Sequence, residues 1–377
     1  VRTRGQPYAE AAVRGIAAGG LHAVLLTGPP SIGKTTLALD LAATLVCTVA
    51  DPSARPCGTC RGCRLLASGN HPDIHRLRPE GPGGQVRIEQ VRALATELAL
   101  LPVEGGARVA IVEAAHRLND DAQNALLKTL EEPPSGVTIV LCADEEERLL
   151  PTVRSRCARV RLGPVGTRDI EALLEELGLA DPPRAARLAR LAGGRPGLAV
   201  AYARSDEAAM ARGEIARGLL DLAQAGPSTR LVAIRQLHTR AIGAAEMLVS
   251  DPSTDPVGQR TTARSAPPAN EAADDEEAAA VASSRRVSAA ERRRGAAWLI
   301  DTWREVTRDL SVLGVGERRA VRDVSALEEL EAVADRLGPG AAADFLVTLE
   351  RAGERLASNA SPELLLDVLA LQWPHAA

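Results

Sequence analysis

The stretch Gly28–Thr36, GPPSIGKTT, constrains this chain more than any other. It matches G-x-x-x-x-G-K-[ST] with Gly28, Gly33, Lys34 and Thr35 in register, and Thr36 follows. Its flanks agree: His22–Thr27 (HAVLLT) is an apolar run that predicts a strand, and Thr35–Cys47 carries Leu and Ala at helical spacing. Strand, glycine loop and helix N-terminus together let backbone N–H groups cradle phosphate oxygens. In such a loop the Lys, here Lys34, reaches the terminal phosphates and the following hydroxyl, here Thr35, faces Mg²⁺. The expectation is binding of ATP or ADP with Mg²⁺; hydrolysis needs groups from elsewhere in the chain.

At 377 residues the chain is long enough for two or three domains. Apolar residues make up 45% but aromatics only 2%, so the cores must be built from Ala, Leu and Val, which favours closely packed helices. A net charge of −4 argues against a chain that binds nucleic acid through its overall charge, and leaves a local basic face open. No run of eighteen apolar residues occurs, and Val1–Gly20 lacks the apolar centre of a signal peptide; a soluble cytoplasmic protein without a membrane partner is expected. Four of the six cysteines cluster, with Cys47 followed by two successive C-x-x-C steps, Cys57, Cys60 and Cys63. Disulfides are disfavoured in the cytosol. Four thiolates complete a tetrahedral Zn²⁺ and leave no open position, so the expected metal is structural. A redox C-x-x-C is the alternative, but it does not call for four cysteines.

Along the chain, a helix over Tyr8–Ala18 leads into the first strand, the P-loop and its helix. Arg61–Ala67 predicts a short helix, and Gly69–Gly84, rich in Gly, Pro and His, reads as loop, with His71 and His75 as surface or packing residues. Ile88–Leu101 is an amphipathic helix, Arg108–Glu113 (RVAIVE) a buried strand, and Asn119 or Asp120 caps a helix through Ala122–Glu132 that Pro133-Pro134 ends. Val137–Cys142 is a further buried strand, Leu149–Arg156 a short helix or turn, and Cys157–Leu162 a strand. Strands alternating with helices predict a parallel-sheet α/β unit over roughly the first 163 residues. From Thr167 the pattern is helical: Asp169–Leu177, Pro183–Leu191 and Pro196–Ala203 form a small unit, and Asp206–Ser250 with Ser288–Trp373 a larger one. Between them Asp251–Arg286, with Val257 and Val281 as its only aliphatic residues besides Ala, predicts a disordered insertion.

Three stretches then coincide: Asn124 followed by ALLKTLEEPP (Ala125–Pro134), the triplet Ser155-Arg156-Cys157, and a cysteine cluster placed after the P-loop helix. Together they resemble the bacterial clamp-loader subunits of DNA polymerase III, AAA+ proteins of the tau/gamma and delta-prime type. The resemblance is dense over Gly5–Gly197 and rests on order and length alone in the C-terminal half. It implies an AAA+ nucleotide-binding domain over 1–165 with the zinc module 47–63 inserted, a helical lid over 166–205, and a helical collar for oligomerisation over 206–377 carrying the insertion 251–286. It also implies a ring of subunits with ATP at their interfaces, at the replisome on the nucleoid. The implied partners are tau/gamma and delta subunits, the sliding clamp, and primed DNA contacted through the assembled ring. By the same resemblance Arg156 is an arginine finger acting on a neighbour's site, and Arg195, in Gly194-Arg195-Pro196, stands where such lids place a second nucleotide sensor.

Two departures from the motor type stand out. Tau/gamma subunits carry an Asp-Glu pair where this chain has Glu113-Ala114, followed by Ala115 and His116. Glu113 still approaches a metal's hydration shell, but Ala114 has no group to orient water, and a positioned catalytic base is worth about 10²–10⁴-fold in rate. His116 is a possible substitute, though it reads better as a cap or packing residue. The next strand ends Leu141-Cys142-Ala143-Asp144, with Ala143 at the position where motors keep a hydroxyl to sense the terminal phosphate. These losses, the stretch Glu147–Cys157 (ERLLPTVRSRC) and the length bring the chain nearer the delta-prime type, a subunit that holds nucleotide and hydrolyses it poorly. A tau/gamma-like ATPase motor is the alternative. A P-loop kinase is less favoured, because it needs neither a zinc module nor the SRC triplet.

Overall fold

The first half of the chain alternates short apolar strands with helices, and it folds as that pattern dictates. In a computed structural model, which describes residues 2–79, 85–104, 106–249, 287–337, 340–358 and 360–375, the order is α1 (Pro7–Gly19), β1 (Ala23–Thr27), α2 (Lys34–Val46), α3 (Arg61–Ala67), β2 (Ile74–Leu77), α4 (Ile88–Leu98), β3 (Arg108–Val112), α5 (Asp120–Glu131), β4 (Val137–Ala143), α6 (Pro151–Arg154) and β5 (Ala158–Arg161). The strands form one sheet in the order β2-β3-β4-β1-β5, and every pairing is parallel. All residues of β1, β3 and β4 are buried, because helices cover both faces.

Alternation along the strands sorts the core in two. Val24, Leu26, Val109, Ile111 and Val140 pack with Val13 of α1 and with Leu37 and Leu41 of α2. Leu25, Ala110, Val112, Ile139 and Leu141 pack with Leu94 of α4 and with Leu126 and Leu130 of α5. Asn119 caps α5 by accepting the Ala122 N–H at 2.9 Å, as its side chain predicts.

One stretch read as loop is a strand. Ile74–Leu77 pairs with β3, from Ile74 against Val109 to Leu77 against Val112. As an edge strand with only Leu77 buried, it carries too little apolar signal to stand out among Gly, Pro and His. Its entry is pinned instead by a polar residue. Asp73, fully buried, accepts the N–H groups of Val103 (2.7 Å) and Glu104 (2.9 Å) and pairs with Arg108 Nη2 at 3.1 Å. Asp73→Ala leaves Arg108 buried without its counter-charge, which is expected to cost about 3–5 kcal/mol in the opening free energy of the β2 and β3 amides; unchanged hydrogen exchange there would refute it. Burial pushes the Asp73 carboxyl up, but those N–H groups and Arg108 outweigh it and hold it below the usual range. A depressed carboxyl stabilises the fold above its unfolded pKa of about 4. That contribution is lost as pH falls from there through the lower folded value.

After the sheet, α7 (Thr167–Glu176), α8 (Pro182–Leu191) and α9 (Pro196–Arg204) close around Ile170, Leu174, Leu188 and Tyr202. Then α10 (Asp206–Leu222), α11 (Pro227–Val249), α12 (Ala289–Gly314), α13 (Leu327–Ala334), α14 (Ala341–Ala357) and α15 (Pro362–Gln372) share a separate core. At its centre the chain's one Phe, Phe345, meets two of its three Trp, with ring centroids 5.5 Å from Trp303 and 4.8 Å from Trp373. Scarce aromatic area is thus concentrated where six helices must be held without a sheet. The stretch 251–286, expected to be disordered, lies outside the described residues. No helix among the described residues is long and apolar enough to cross a membrane.

Candidate nucleotide and metal sites

The P-loop leaves an interior strand of the sheet, because β1 is flanked by β4 and by the edge strand β5. Gly28 and Gly33 both adopt positive φ, 146° and 105°, and a Cβ on Gly28 would lie 2.5 Å from the Leu162 carbonyl oxygen, so only glycine fits there. Gly33 caps α2, and Thr35 and Thr36 stand half-buried on its first turn. Lys34 is buried, and its Nζ donates to the carbonyls of Gly28 (2.8 Å) and Pro29 (2.6 Å) and pairs with Asp144 Oδ1 at 2.6 Å. Backbone, helix end and lysine fit a phosphate-bearing ligand.

The acidic side of the site is arranged differently. Glu113, just after β3, receives Arg76 Nη2 at 2.6 Å, Arg76 Nε at 2.8 Å and Arg78 Nε at 3.1 Å. A carboxylate flanked by two guanidiniums is a poor place for a divalent cation, so this pairing does not fit Mg²⁺ held at Glu113. Ala114 follows in the left-handed region (φ 51°) and offers no functional group. His116 is buried; its Nδ1 accepts the Asp144 N–H at 3.1 Å, and burial holds it down at about 4, so it is neutral at neutral pH. It packs, as it reads, and it also holds the Asp144 backbone. Ala143, fully buried at the end of β4, has no polar side chain to offer.

Arg156 follows α6 and precedes β5. Its side chain is 35% exposed, its Nη1 donates to the Thr152 carbonyl at 2.9 Å, and its Nη2 pairs with Glu131, itself 49% exposed, at the end of α5. An ion pair this open to solvent is worth about 0–1 kcal/mol, so the guanidinium is readily released to another acceptor.

Arg195 caps the start of α9. Its Nη2 pairs with Glu305 of α12, and Glu305 also takes Arg212 Nη2 at 3.0 Å. The backbone beside it does meet the P-loop: the Gly197 N–H donates to the Ser31 carbonyl at 2.9 Å, and a Cβ on Gly197 would crowd that oxygen at 2.9 Å. The start of α9 therefore docks on the loop while Arg195 pairs with the C-terminal helices.

The four clustered cysteines come together from the end of α2 (Cys47), the following loop (Cys57) and α3 (Cys60 as its cap, Cys63 within it). Their Sγ atoms all lie within 4.8 Å of one another, and those of Cys47 and Cys60 are 4.0 Å apart. Tetrahedral Zn–S bonds of about 2.3 Å set sulfurs roughly 3.8 Å apart, so the donor set fits a structural zinc. Backbone N–H groups already point at the sulfurs, from Cys60 to Cys57 (3.3 Å) and from Cys63 to Cys60 (3.4 Å). Burial raises the Cys60 thiol, but the Cys63 and Thr48 N–H groups outweigh it and bring it down to about 6, whereas burial pushes Cys63 up to about 12. His71, buried beside the module, accepts the Asp73 N–H on Nδ1, and His75 Nδ1 pairs with Glu97 at 2.8 Å; both pack as expected.

Sequence reasoning missed Asp144, Arg76, Arg78 and Glu305. Only the recognition of β2 as a strand would have placed Arg76 beside Glu113.

A family profile described as DNA polymerase III, delta subunit, matches residues 14–166. The delta-prime subunit of DNA polymerase III from Pseudomonas aeruginosa is 41% identical over 179 residues, 46% of this chain and 53% of the relative. That of Bacillus subtilis is 34% identical over 194 residues, 52% and 57%. The tau subunit of Salmonella typhimurium is 33% identical over 171 residues, 44% of this chain and 26% of that protein. The chain thus spans about half the length of the delta-prime relatives it matches. The resemblance carried by the P-loop, the ALLKTLEEPP run and the SRC triplet is thereby shown: this chain is similar in sequence to DNA polymerase III delta-prime subunits over about half its length, and also to tau and gamma/tau subunits.

Proposed function

We propose that this chain is a delta-prime-type subunit of the DNA polymerase III clamp loader. It takes part in ATP-dependent loading of the sliding clamp onto primed DNA, in a ring with tau/gamma and delta subunits. Residues 1–165 are read as the AAA+ domain, 166–205 as its lid and 206–377 as the collar. The observation that carries the reading is the contrast between Arg156 and the chain's own P-loop. Arg156 is exposed and weakly held, whereas the site at Lys34 lacks the groups of a motor: Ala114 and Ala143 are inert, and Glu113 is occupied by Arg76 and Arg78.

Lys34 and the loop N–H groups would hold the phosphates of ATP or ADP, whose charge Mg²⁺ would share. Gly28 and Gly33 shape the loop, Thr35 and Thr36 line its helix end, and Arg156 addresses the neighbouring subunit's nucleotide. The tau/gamma-like motor is the weaker reading, because it needs Glu113 free. The test is reconstitution of the purified full chain with tau/gamma and delta subunits. The chain is expected to join the assembly and, alone, to hydrolyse ATP at the background rate. Strong turnover by the isolated chain, or failure to assemble, would sink the proposal.

A further inference from the structure

The ammonium of Lys34 has three N–H donors, and three acceptors meet it from within the chain: the carbonyls of Gly28 and Pro29 and Oδ1 of Asp144. The two carbonyls belong to the loop itself. Asp144 is different, because it brings a full negative charge from the end of β4 and places it 2.6 Å from Nζ. The lysine side chain is only 8% exposed and the aspartate 31%, so the pair is partly shielded from water. Asp144 is held from behind as well. Its N–H donates to His116 Nδ1 at 3.1 Å, and Oδ2 lies 3.8 Å from His116 Nε2. His116 therefore fixes the backbone of the residue that fixes the lysine.

A carboxylate oxygen on a P-loop lysine occupies the place of a phosphate oxygen: both are anionic acceptors of the same charge-assisted bond. An incoming phosphate must displace Asp144 from Lys34, and then sits beside an aspartate that repels it. We propose that Asp144 is an internal competitor for the phosphate-binding lysine, so that nucleoside polyphosphate binds this chain only by breaking the Lys34–Asp144 pair. The inference rests on reading 28–36 as a nucleotide site. It predicts that a loop with every phosphate-binding part in place binds weakly: a ligand confined to a minor, unlatched state loses affinity in proportion to that state's population.

Titration of the full chain with a fluorescent ADP analogue, and with ATP plus Mg²⁺, tests it. Asp144→Asn keeps the size and removes the charge, and it is expected to tighten binding of both probes by about tenfold or more. Asp144→Ser serves as a second charge-free variant should the amide pack badly. Lys34→Ala added to either is expected to abolish the gain. Equal affinities for wild type and both variants, each shown folded by circular dichroism, would overturn the latch while leaving the nucleotide site standing. No binding by any of them would overturn the nucleotide reading itself, and the latch with it.

Discussion

Arg156→Ala is expected to slow ATP hydrolysis at the neighbouring site of the assembled complex by about 10³-fold or more, the usual worth of an arginine finger, while nucleotide binding by this chain stays unchanged. The separation follows from the structure. Arg156 sits beyond α6 and touches Thr152 and Glu131, whereas the P-loop's own contacts run through Lys34, Ser31 and Asp144. Its solvent-exposed pair with Glu131 contributes little to the fold, so the substitution should leave the melting temperature nearly unmoved. Arg156→Lys should recover only part of the rate, because an ammonium cannot present the planar fork of donors that spans two phosphoryl oxygens. Single-turnover kinetics on the reconstituted assembly gives the answer. Equal losses in binding and hydrolysis would show that Arg156 supports its own subunit and not the next.

The second large effect concerns the cysteines. Metal analysis of the purified chain should find one zinc per chain, and Cys57→Ser with Cys60→Ser should remove it. Zinc binding to small Cys-rich modules is worth an apparent 10–16 kcal/mol or so. Bound zinc would use part of that to hold a loop whose own apolar contacts are few, since Leu66 is the module's main contribution to the sheet's core. Without the metal, four thiols would crowd a space under 5 Å across, two of them buried. The expected result is local unfolding of 47–67, seen as lost amide protection there, with the melting transition of the first domain lowered by more than about 5 °C. Wild-type protein free of zinc would refute the metal assignment. Metal loss without any change in protection would refute its structural role.

Much of the site was legible because its parts are local or periodic. GPPSIGKTT carries its own loop geometry, the strands around it are continuous apolar runs, and three cysteines fall within seven residues of one another. Even the missing groups could be read, since Ala114 and Ala143 lie at strand ends that the pattern locates. What could not be read is how the remaining charges are spent. Glu113 looks available to a metal until β2 brings Arg76 and Arg78 beside it, and β2 is an edge strand with one buried residue. Arg195 looks like a nucleotide sensor until α12 supplies Glu305, 110 residues away.

The sequence by itself determined that a parallel α/β sheet would carry a glycine loop of phosphate-binding form and a cluster of four thiols, because each depends on neighbours close along the chain. Only the tertiary structure decided which of those groups are free to act. Lys34 is met by Asp144, Glu113 by two arginines and Arg195 by a helix of the C-terminal core. The physical reason is that charges pair by distance in space, and the strand order and helix docking that set those distances leave no spacing rule in the sequence.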